Sequence, residues 1–182
     1  SDPDADVAGC EKLLACLNEP QQRLFLQTLA ASLDLPTIRR YRGRAVRALL
    51  CKGHGNNGKD SLREAVRLLY GIGLSNATIS DFQTYDQGRK FSLAKLESAR
   101  INWSSENSSF SNLDGLQSLK AAITGDPLDI ERKFADEQEM NPAAIFLFNI
   151  NEAPNLKAGL EAIQSRWAVL SFTKTYKIGA DP

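Results

Sequence analysis

The chain has 182 residues, of which 42% are hydrophobic and 24% are charged. These fractions are those of ordinary globular proteins, and they exclude extended disorder, collagen and coiled coil as descriptions of the whole chain. Lysine plus arginine and aspartate plus glutamate number 22 each, so binding to nucleic acid would have to come from a local patch and not from net charge. The length predicts one domain, alone or with a small helical attachment.

Further classes of protein are excluded by what the sequence lacks. No apolar run approaches the roughly 20 residues that cross a bilayer, so we expect no membrane partner. The single histidine, His54, excludes a metal site built from several histidines of this chain. The first six residues are acidic and polar and show no signal-peptide pattern. Three cysteines cannot pair completely, which is typical of a reducing compartment and predicts a cytoplasmic location.

Residues 1–44 are predicted to form a helical lead followed by a basic linker. Apolar residues recur at helical spacing in residues 10–35, and Pro20 divides them into two helices because proline suits the first turn of a helix. The stretch 36–52 contains no acid and six basic residues, which are Arg39, Arg40, Arg42, Arg44, Arg47 and Lys52. This stretch is either a solvated linker, or a subunit interface or contact with a phosphate backbone.

Residues 45–182 are predicted to form the core of the protein. Strands are predicted at residues 45–51, 76–82, 100–104, 143–150 and 167–172. Helices are predicted at residues 59–71, 91–96, 113–123 and 158–165, and a charged hairpin at 126–141. Strands that alternate with helices imply a mainly parallel sheet with helices on both faces. The predicted fold class is therefore α/β, with a five-stranded sheet preceded by a short helical segment.

A glycine-rich loop is the sharpest motif in the sequence. Residues 53–60 read GHGNNGKD, which fits the pattern G-x-x-x-x-G-K directly after a predicted strand and before a predicted helix. Such a loop turns its backbone N–H groups towards phosphate oxygens, and the helix that follows adds its own N-terminal N–H groups. The predicted phosphate-binding residues are Gly53, His54, Gly55, Asn56, Asn57, Gly58, Lys59, Asp60 and Ser61. A glycine-rich turn with a capping aspartate is the alternative.

The motif departs from its usual form at Asp60. A serine or threonine at this position would bring a hydroxyl to Mg²⁺. Asp60 offers a hard oxygen ligand instead, but its charge repels phosphates unless the ion lies between them. Ser61 is an alternative source of the hydroxyl.

Polar residues also stand where two predicted strands end. Glu106 follows the strand at 100–104, and Asn149 and Asn151 lie at the end of the strand at 143–150. Since ligands of parallel sheets bind at the carboxyl ends of the strands, these side chains are candidates to polarise a water molecule and to contact a terminal phosphate. The alternatives are a surface glutamate and a turn asparagine before Pro154.

The order of these motifs resembles the superfamily 3 helicase domain, a branch of the AAA+ ATPases. The likeness is to the helicase domains of phage and plasmid primase-helicases and of poxvirus-type replication ATPases, and it covers residues 45–175. The segments that carry it are GNNGKD at 55–60, Ser105-Glu106, KAAITGD at 120–126, Glu131-Arg132-Lys133, Asn151 to Pro154, and RWAVLSF at 166–172. The ordered set is more specific than any single motif.

The resemblance implies a role for each matched residue. Lys59 and Asp60 end the phosphate loop, and Glu106 is the catalytic base; Asp60 and Glu106 are the expected Mg²⁺ ligands. Asn151 senses the terminal phosphate of ATP, and Arg166 is the arginine finger offered to the neighbouring subunit. Arg132 and Lys133 lie on a hairpin that contacts DNA. The implied cofactors are ATP and Mg²⁺.

The function implied is an ATP-dependent DNA helicase or translocase motor that acts in phage, plasmid or mobile-element replication. Its expected partners are single-stranded DNA, read with little sequence specificity, and further copies of itself in a hexameric ring. We also expect the chain to be a fragment of a longer replication protein of a bacterium or of a phage or plasmid in its host cytoplasm. The alternative is an ATP-binding assembly or nucleic-acid-binding module with a degenerate loop and little hydrolysis. A metabolic kinase is a third option, but no acceptor pocket or lid is visible in the sequence.

Overall fold

The most apolar segments of the chain form the strands at the centre of the protein. The computed structural model describes residues 7–42, 46–105, 113–132, 136–151 and 165–176. The strands within these residues are β1 (Ala48–Lys52), β2 (Leu74–Ser75), β3 (Ile101–Ser104), β4 (Leu128–Ile130), β5 (Gln138–Met140), β6 (Ile145–Ile150) and β7 (Trp167–Ser171). Five of them form one parallel sheet in the order β2-β3-β6-β1-β7, and β4 and β5 form a separate antiparallel hairpin.

Helices connect the strands and precede them. The α-helices of the described residues are α1 (Ala8–Leu14), α2 (Glu19–Ala31), α3 (Leu35–Arg42), α4 (Lys59–Tyr70), α5 (Ile79–Asp86) and α6 (Gln117–Thr124). Short 3₁₀ helices lie at Gly71–Gly73, Lys90–Leu96 and Leu113–Gly115. None of the helices in these ranges has both the length and the apolar composition that crossing a membrane requires.

Both faces of the sheet are covered, which explains why β6 is apolar at nearly every position. Phe146 and Phe148 point to one face, and Ile145 and Leu147 point to the other, since side chains alternate along a strand. The first face packs against α5, α6 and the hairpin, and the second packs against α1 to α4. The predicted α/β class, a five-stranded parallel sheet with helices on both faces, is confirmed.

The N-terminal helices share a hydrophobic core with the sheet. The side chain of Asn18 caps α2 by accepting the N–H of Gln21 at 3.0 Å, and Pro20 lies in the first turn, as predicted. Further along α2, Phe25 is buried and meets the ring of Trp103 edge to face, with 5.8 Å between ring centroids. The division at residue 44 stays a prediction, because residues 43–45 lie outside the described part of the chain.

The prediction of a basic linker is wrong for residues 35–42, which form α3. Leu35 is buried at its start, and Arg39 reaches across to the last turn of α6. The Arg39 guanidinium donates to the carbonyls of Ala122 at 3.2 Å and Ile123 at 3.0 Å, and also to that of Pro142. Arg39 therefore links the N-terminal helices to α6. Its hydrogen-bond partners lie far away in the sequence, so the basic stretch alone does not reveal this role.

The predicted strand at 76–82 is also wrong. The strand occupies only Leu74–Ser75, and α5 begins at Ile79. The cause is a capping box: the Thr78 hydroxyl accepts the N–H of Asp81 at 3.2 Å, and the Asp81 carboxylate accepts the N–H of Thr78 at 2.7 Å. This threonine-to-aspartate spacing starts a helix in spite of the β-branched residues beside it.

The remaining predicted elements agree with the structure apart from their ends. The segment 113–123 is divided into a 3₁₀ turn and α6, while the hairpin at 126–141 is present as β4 and β5. The predicted helix at 158–165 lies outside the described residues except for its last position.

We predict that Phe25→Ala lowers the free energy of unfolding by about 3–5 kcal/mol, because the substitution leaves a cavity against Trp103. Leu26→Ala, at an adjacent residue that is 48% exposed, is the matched control and should change it by less than about 0.5 kcal/mol. Urea denaturation measures both values. Equal effects would show that α2 does not share the core of the sheet.

Candidate functional site: a glycine-rich loop at the carboxyl edge of the sheet

The loop that connects β1 to α4 has the backbone shape that its glycines and asparagines predict. Gly58 precedes α4 with φ of 83°, and Asn56 has φ of 58°, both in the left-handed region. Asparagine tolerates positive φ better than most residues do, and Asn56 adopts it whereas Asn57 does not. A Cβ atom on Gly58 would also lie 2.9 Å from the Cβ of Cys16, so this position requires glycine on two counts.

The side chain of Asn57 connects the first and last parts of the loop through hydrogen bonds. The side chain is buried, its amide donates to the carbonyl of His54, and its Oδ1 accepts the N–H of Lys59 at 3.2 Å. A Cβ atom on Gly53 would lie 2.2 Å from the Asn57 amide nitrogen, so the first glycine makes room for this side chain. The sequence predicted Asn57 as a phosphate contact, and its bonds here organise the loop.

The Lys59 ammonium lies within the loop. The side chain is buried, and Nζ donates to the carbonyl of Gly53 at 2.9 Å. Burial lowers the pKa of Lys59, while the neighbouring Asp60 and Cys51 oppose that shift. A partly desolvated cation inside a glycine-rich turn attracts an anion more strongly than a lysine in bulk water does.

The predicted metal ligands are only partly described. Asp60 and Ser61 are exposed in the first turn of α4, next to Lys59. Glu106 lies outside the described residues, so its position relative to Asp60 is untested. Within the described ranges, no group of three or more histidine, cysteine, aspartate or glutamate side chains is arranged to hold a metal ion.

A cleft of about 310 Å³ opens beside the loop, at the edge where the strands end. It is lined by Lys52, Gly53, His54, Gly55, Asn57, Asn151, Ser171, Phe172, Thr173, Lys174 and Thr175. The structure thus brings Asn151, which follows β6, to the same cleft as the loop that follows β1. Asn149, the other asparagine on β6, is buried and accepts the indole N–H of Trp103 at 2.8 Å, so it joins two strands.

Arg166 lies away from this cleft in the same chain. It directly precedes β7, which begins at Trp167 and runs parallel to β1. Arg166 is therefore at the amino edge of the sheet, and the loop is at the carboxyl edge. The side chain is half-buried, and its Nε has no hydrogen-bond partner within the described part of the protein.

The hairpin is separate from the cleft as well. Arg132 is exposed and forms an ion pair with Glu97. The hairpin is also linked to Lys90, which pairs with Asp129 and Glu137. Lys133 lies outside the described residues. The structure therefore shows Arg132 engaged by a carboxylate of the same chain.

Two contacts around the loop were missed by sequence reasoning. Cys16, between α1 and α2, packs against Gly58, and Tyr176, after β7, donates its backbone N–H to the carbonyl of Asn56 at 2.8 Å. The apolar pattern of residues 10–35 predicted helices, but it did not indicate that the turn between them packs against the glycine-rich loop. Residues 173–176 carry no motif. Their contact with the loop follows from the pairing of β7 with β1, which the sequence does not show.

Comparison with solved structures shows that the chain is an α/β domain with the fold of part of the C-terminal region of NrS-1. One apo structure of that region matches with a TM-score of 0.65 and 22% identity over 91% of this chain and 37% of that chain. Another matches with a TM-score of 0.67 and 23% identity over 90% and 38%. The chain thus spans less than two fifths of the NrS-1 region. A structure of JCV helicase with a bound acetamide compound has a TM-score of 0.47 and 15% identity, over 87% of this chain and 43% of that chain.

The sequence assigns the chain to a particular family within this class. Residues 51–166 match the model of a family of unknown function, DUF5906, and the chain belongs to that family. No curated protein matches the chain. The matched range begins in β1 and ends at Arg166, so it contains the glycine-rich loop and Asn151.

We predict that Gly58→Ala destabilises the protein by about 1–2 kcal/mol or more, because alanine is strained at φ of 83° and its methyl group would collide with Cys16. Gly55→Ala is the matched control, since a Cβ there has no atom within 4 Å, and should change stability by less than about 0.5 kcal/mol. Thermal or urea unfolding compares the two. Equal stability of both variants would contradict the left-handed turn.

We also predict that one thiol per folded chain reacts rapidly with Ellman's reagent at pH 8. Burial raises the pKa of Cys51 to about 12 and raises that of Cys16, so both stay protonated at this pH, and the protonated thiol is a poor nucleophile. Cys10 is exposed and should account for the rapid reaction. Cys10→Ser should abolish it, and three rapid thiols in the folded protein would contradict the packing of Cys16 and Cys51.

Proposed function

We propose that this chain is the ATP-dependent motor domain of a DNA helicase or translocase of the superfamily 3 type, acting in phage, plasmid or mobile-element replication. The observation that carries the proposal is the loop of residues 53–59, which encloses the Lys59 ammonium and shares a cleft with Asn151. This arrangement combines a cation, backbone amides and a polar side chain at the carboxyl edge of a parallel sheet, where ligands of such sheets bind.

The residues of the loop suit a triphosphate. The Lys59 ammonium uses one of its three N–H donors on Gly53, and the other two have no partner within the described part of the chain. The first turn of α4 adds N–H groups and the positive end of the helix dipole. Lys59 would thus neutralise the terminal phosphates of ATP, and Asn151 would donate a hydrogen bond to the last of them.

Metal binding is assigned to the acids near the loop. Asp60, exposed beside Lys59, would hold Mg²⁺ together with Glu106, and the ion would neutralise charge on the phosphates. Glu106 would also orient the attacking water molecule. In this proposal Asp60 supplies the carboxylate that the strand before Glu106 lacks, because Ser105 stands where many ATPases of this kind carry an aspartate.

Assembly into a hexameric ring is part of the proposal. Arg166 lies at the edge of the sheet opposite the cleft, which supports a role on a neighbouring subunit's ATP and not on its own. An arginine supplied in this way typically raises the rate of hydrolysis by about 10³–10⁵. Hydrolysis would then depend on contact between subunits, in the cytoplasm of a bacterium or host cell.

Single-stranded DNA is the proposed nucleic-acid partner, and Arg132 and Lys133 are its proposed contacts. Six acids lie near these two cations in the sequence, and they are Asp126, Asp129, Glu131, Asp136, Glu137 and Glu139. Binding to a DNA phosphate would require Arg132 to exchange its partner Glu97 for a phosphate oxygen. Such binding should be weak in the single chain and strengthened by the repetition of the hairpin around a ring.

An ATP-binding assembly module with little hydrolysis is the second candidate, and the observation that favours it is Asp60 itself. An exposed carboxylate next to Lys59 repels phosphates in the absence of a metal ion. The two candidates differ in turnover, so ATP binding and Mg²⁺-dependent hydrolysis are measured on the same protein with and without single-stranded DNA. Binding without turnover supports the module.

We predict that Lys59→Met lowers Mg²⁺-dependent ATP hydrolysis by about 100-fold or more, because it removes the charge that neutralises the phosphates. Lys12→Met, at an exposed lysine of α1, is the matched control and should leave hydrolysis unchanged. Thermal unfolding verifies that both variants are folded. Hydrolysis by folded Lys59→Met at the rate of the control would refute the motor.

Two further variants test the assigned acids. Glu106→Gln should retain ATP binding and lose hydrolysis, because it removes the base and keeps the size of the side chain.

Asp60→Ser should lower hydrolysis if Asp60 is a Mg²⁺ ligand. Unchanged or higher activity of Asp60→Ser would count against that role without affecting the role of Lys59.

A further inference from the structure

The segment that follows β7 forms one wall of the cleft. Residues 172–176 follow β7 and are bonded to the end of β1 and to the middle of the glycine-rich loop. The N–H of Phe172 donates to the carbonyl of Lys52 at 2.8 Å, and that of Tyr176 donates to the carbonyl of Asn56 at 2.8 Å. The ring of Tyr176 also approaches Gly58, where an added Cβ would lie 3.3 Å from it. The segment is thus attached at its first and last residues, Phe172 and Tyr176.

The strand order places this wall opposite Asn151. In the sheet, β6 and β7 lie on the two sides of β1, and the loop follows β1. Neighbouring strands are about 4.8 Å apart, so the ends of β6 and β7 are separated by roughly 10 Å across the loop. If the last phosphate of ATP lies towards Asn151, as the proposed function requires, the nucleoside extends towards residues 172–176.

The side chains of this wall suit a sugar or base better than a phosphate. Thr173 and Thr175 are exposed and line the cleft, and neither hydroxyl has a hydrogen-bond partner within the described residues. A hydroxyl both donates and accepts, which matches ribose hydroxyls and the edges of a base. The cation on the same segment, Lys174, is directed elsewhere, because its Nζ donates to the carbonyl of Ala15.

We propose that Thr173 and Thr175, held against the loop by the backbone bonds of Phe172 and Tyr176, bind the nucleoside part of a nucleoside triphosphate. This inference rests on the proposed function, since it takes the loop as the site of the phosphates. It assigns binding residues outside the range of 51–166 that matches the family. The nucleoside would be recognised mainly through groups that many nucleotides share, so discrimination between bases should be modest.

The experiment compares two ligands on one variant. The double substitution Thr173→Val and Thr175→Val removes both hydroxyls and keeps the shape of the side chains. Calorimetric titration with ATP and with inorganic tripolyphosphate, both with Mg²⁺, measures the dissociation constants. We expect the constant for ATP to rise about tenfold, because two hydrogen bonds are lost, and that for tripolyphosphate to change less than twofold. Thr37→Val, at an exposed threonine of α3 outside the cleft, is the matched control.

Each result distinguishes the inference from the proposed function. If the wild-type protein binds both ligands and the double variant binds ATP as tightly as the control does, residues 173–175 do not contact the nucleoside, and the motor proposal stands. If the variant weakens ATP and tripolyphosphate equally, the segment only supports the loop, which also overturns the inference. If the wild-type protein binds neither ligand, the phosphate site itself fails and both proposals fall.

Discussion

The shape of the candidate site depends on three hydrogen bonds that side chains of the glycine-rich loop make to its own backbone. The Lys59 ammonium bonds to the carbonyl of Gly53, and the Asn57 side chain bonds to the backbone on both sides of it. These bonds hold the loop in a tight curl, and the left-handed turn at Gly58 directs the chain into α4. The loop is therefore held in this shape by its own hydrogen bonds, and a loop held in this way loses little conformational entropy when it binds a ligand.

The sheet and the loop were predictable from sequence because their signals are local. The apolar run at 143–150 contains β6, which is buried at every position between helices on both faces, and such a strand shows as a continuous hydrophobic segment. The run at 167–172 contains the edge strand β7, where Trp167 and Leu170 are buried and Val169 is 46% exposed. The spacing of Gly53, Gly58 and Lys59 predicted the strand-to-helix turn, which the structure contains. Of the polar residues at strand ends, Asn151 lines the cleft as that position suggested, whereas Asn149 serves the packing of Trp103.

Other features depend on contacts between distant parts of the chain and gave no local signal. Arg39 belongs to a basic stretch, yet its guanidinium is bonded to the end of α6, more than 80 residues away in sequence. Thr173 and Thr175 acquire their place in the cleft from the pairing of β7 with β1. The strand predicted at 76–82 failed for a different reason, since the capping residues Thr78 and Asp81 outweigh the β-branched residues near them.

The hairpin combines a buried base with an exposed, charged end. Its base is anchored by Leu128 and Met140, which are buried in the core beneath the sheet, whereas Arg132 is exposed and bonded only to an exposed carboxylate, Glu97, within the described residues. Ion pairs in water contribute little to stability and weaken as salt is added. Replacement of Glu97 by an incoming anion would therefore leave the core undisturbed, and ionic strength would set how readily that exchange occurs.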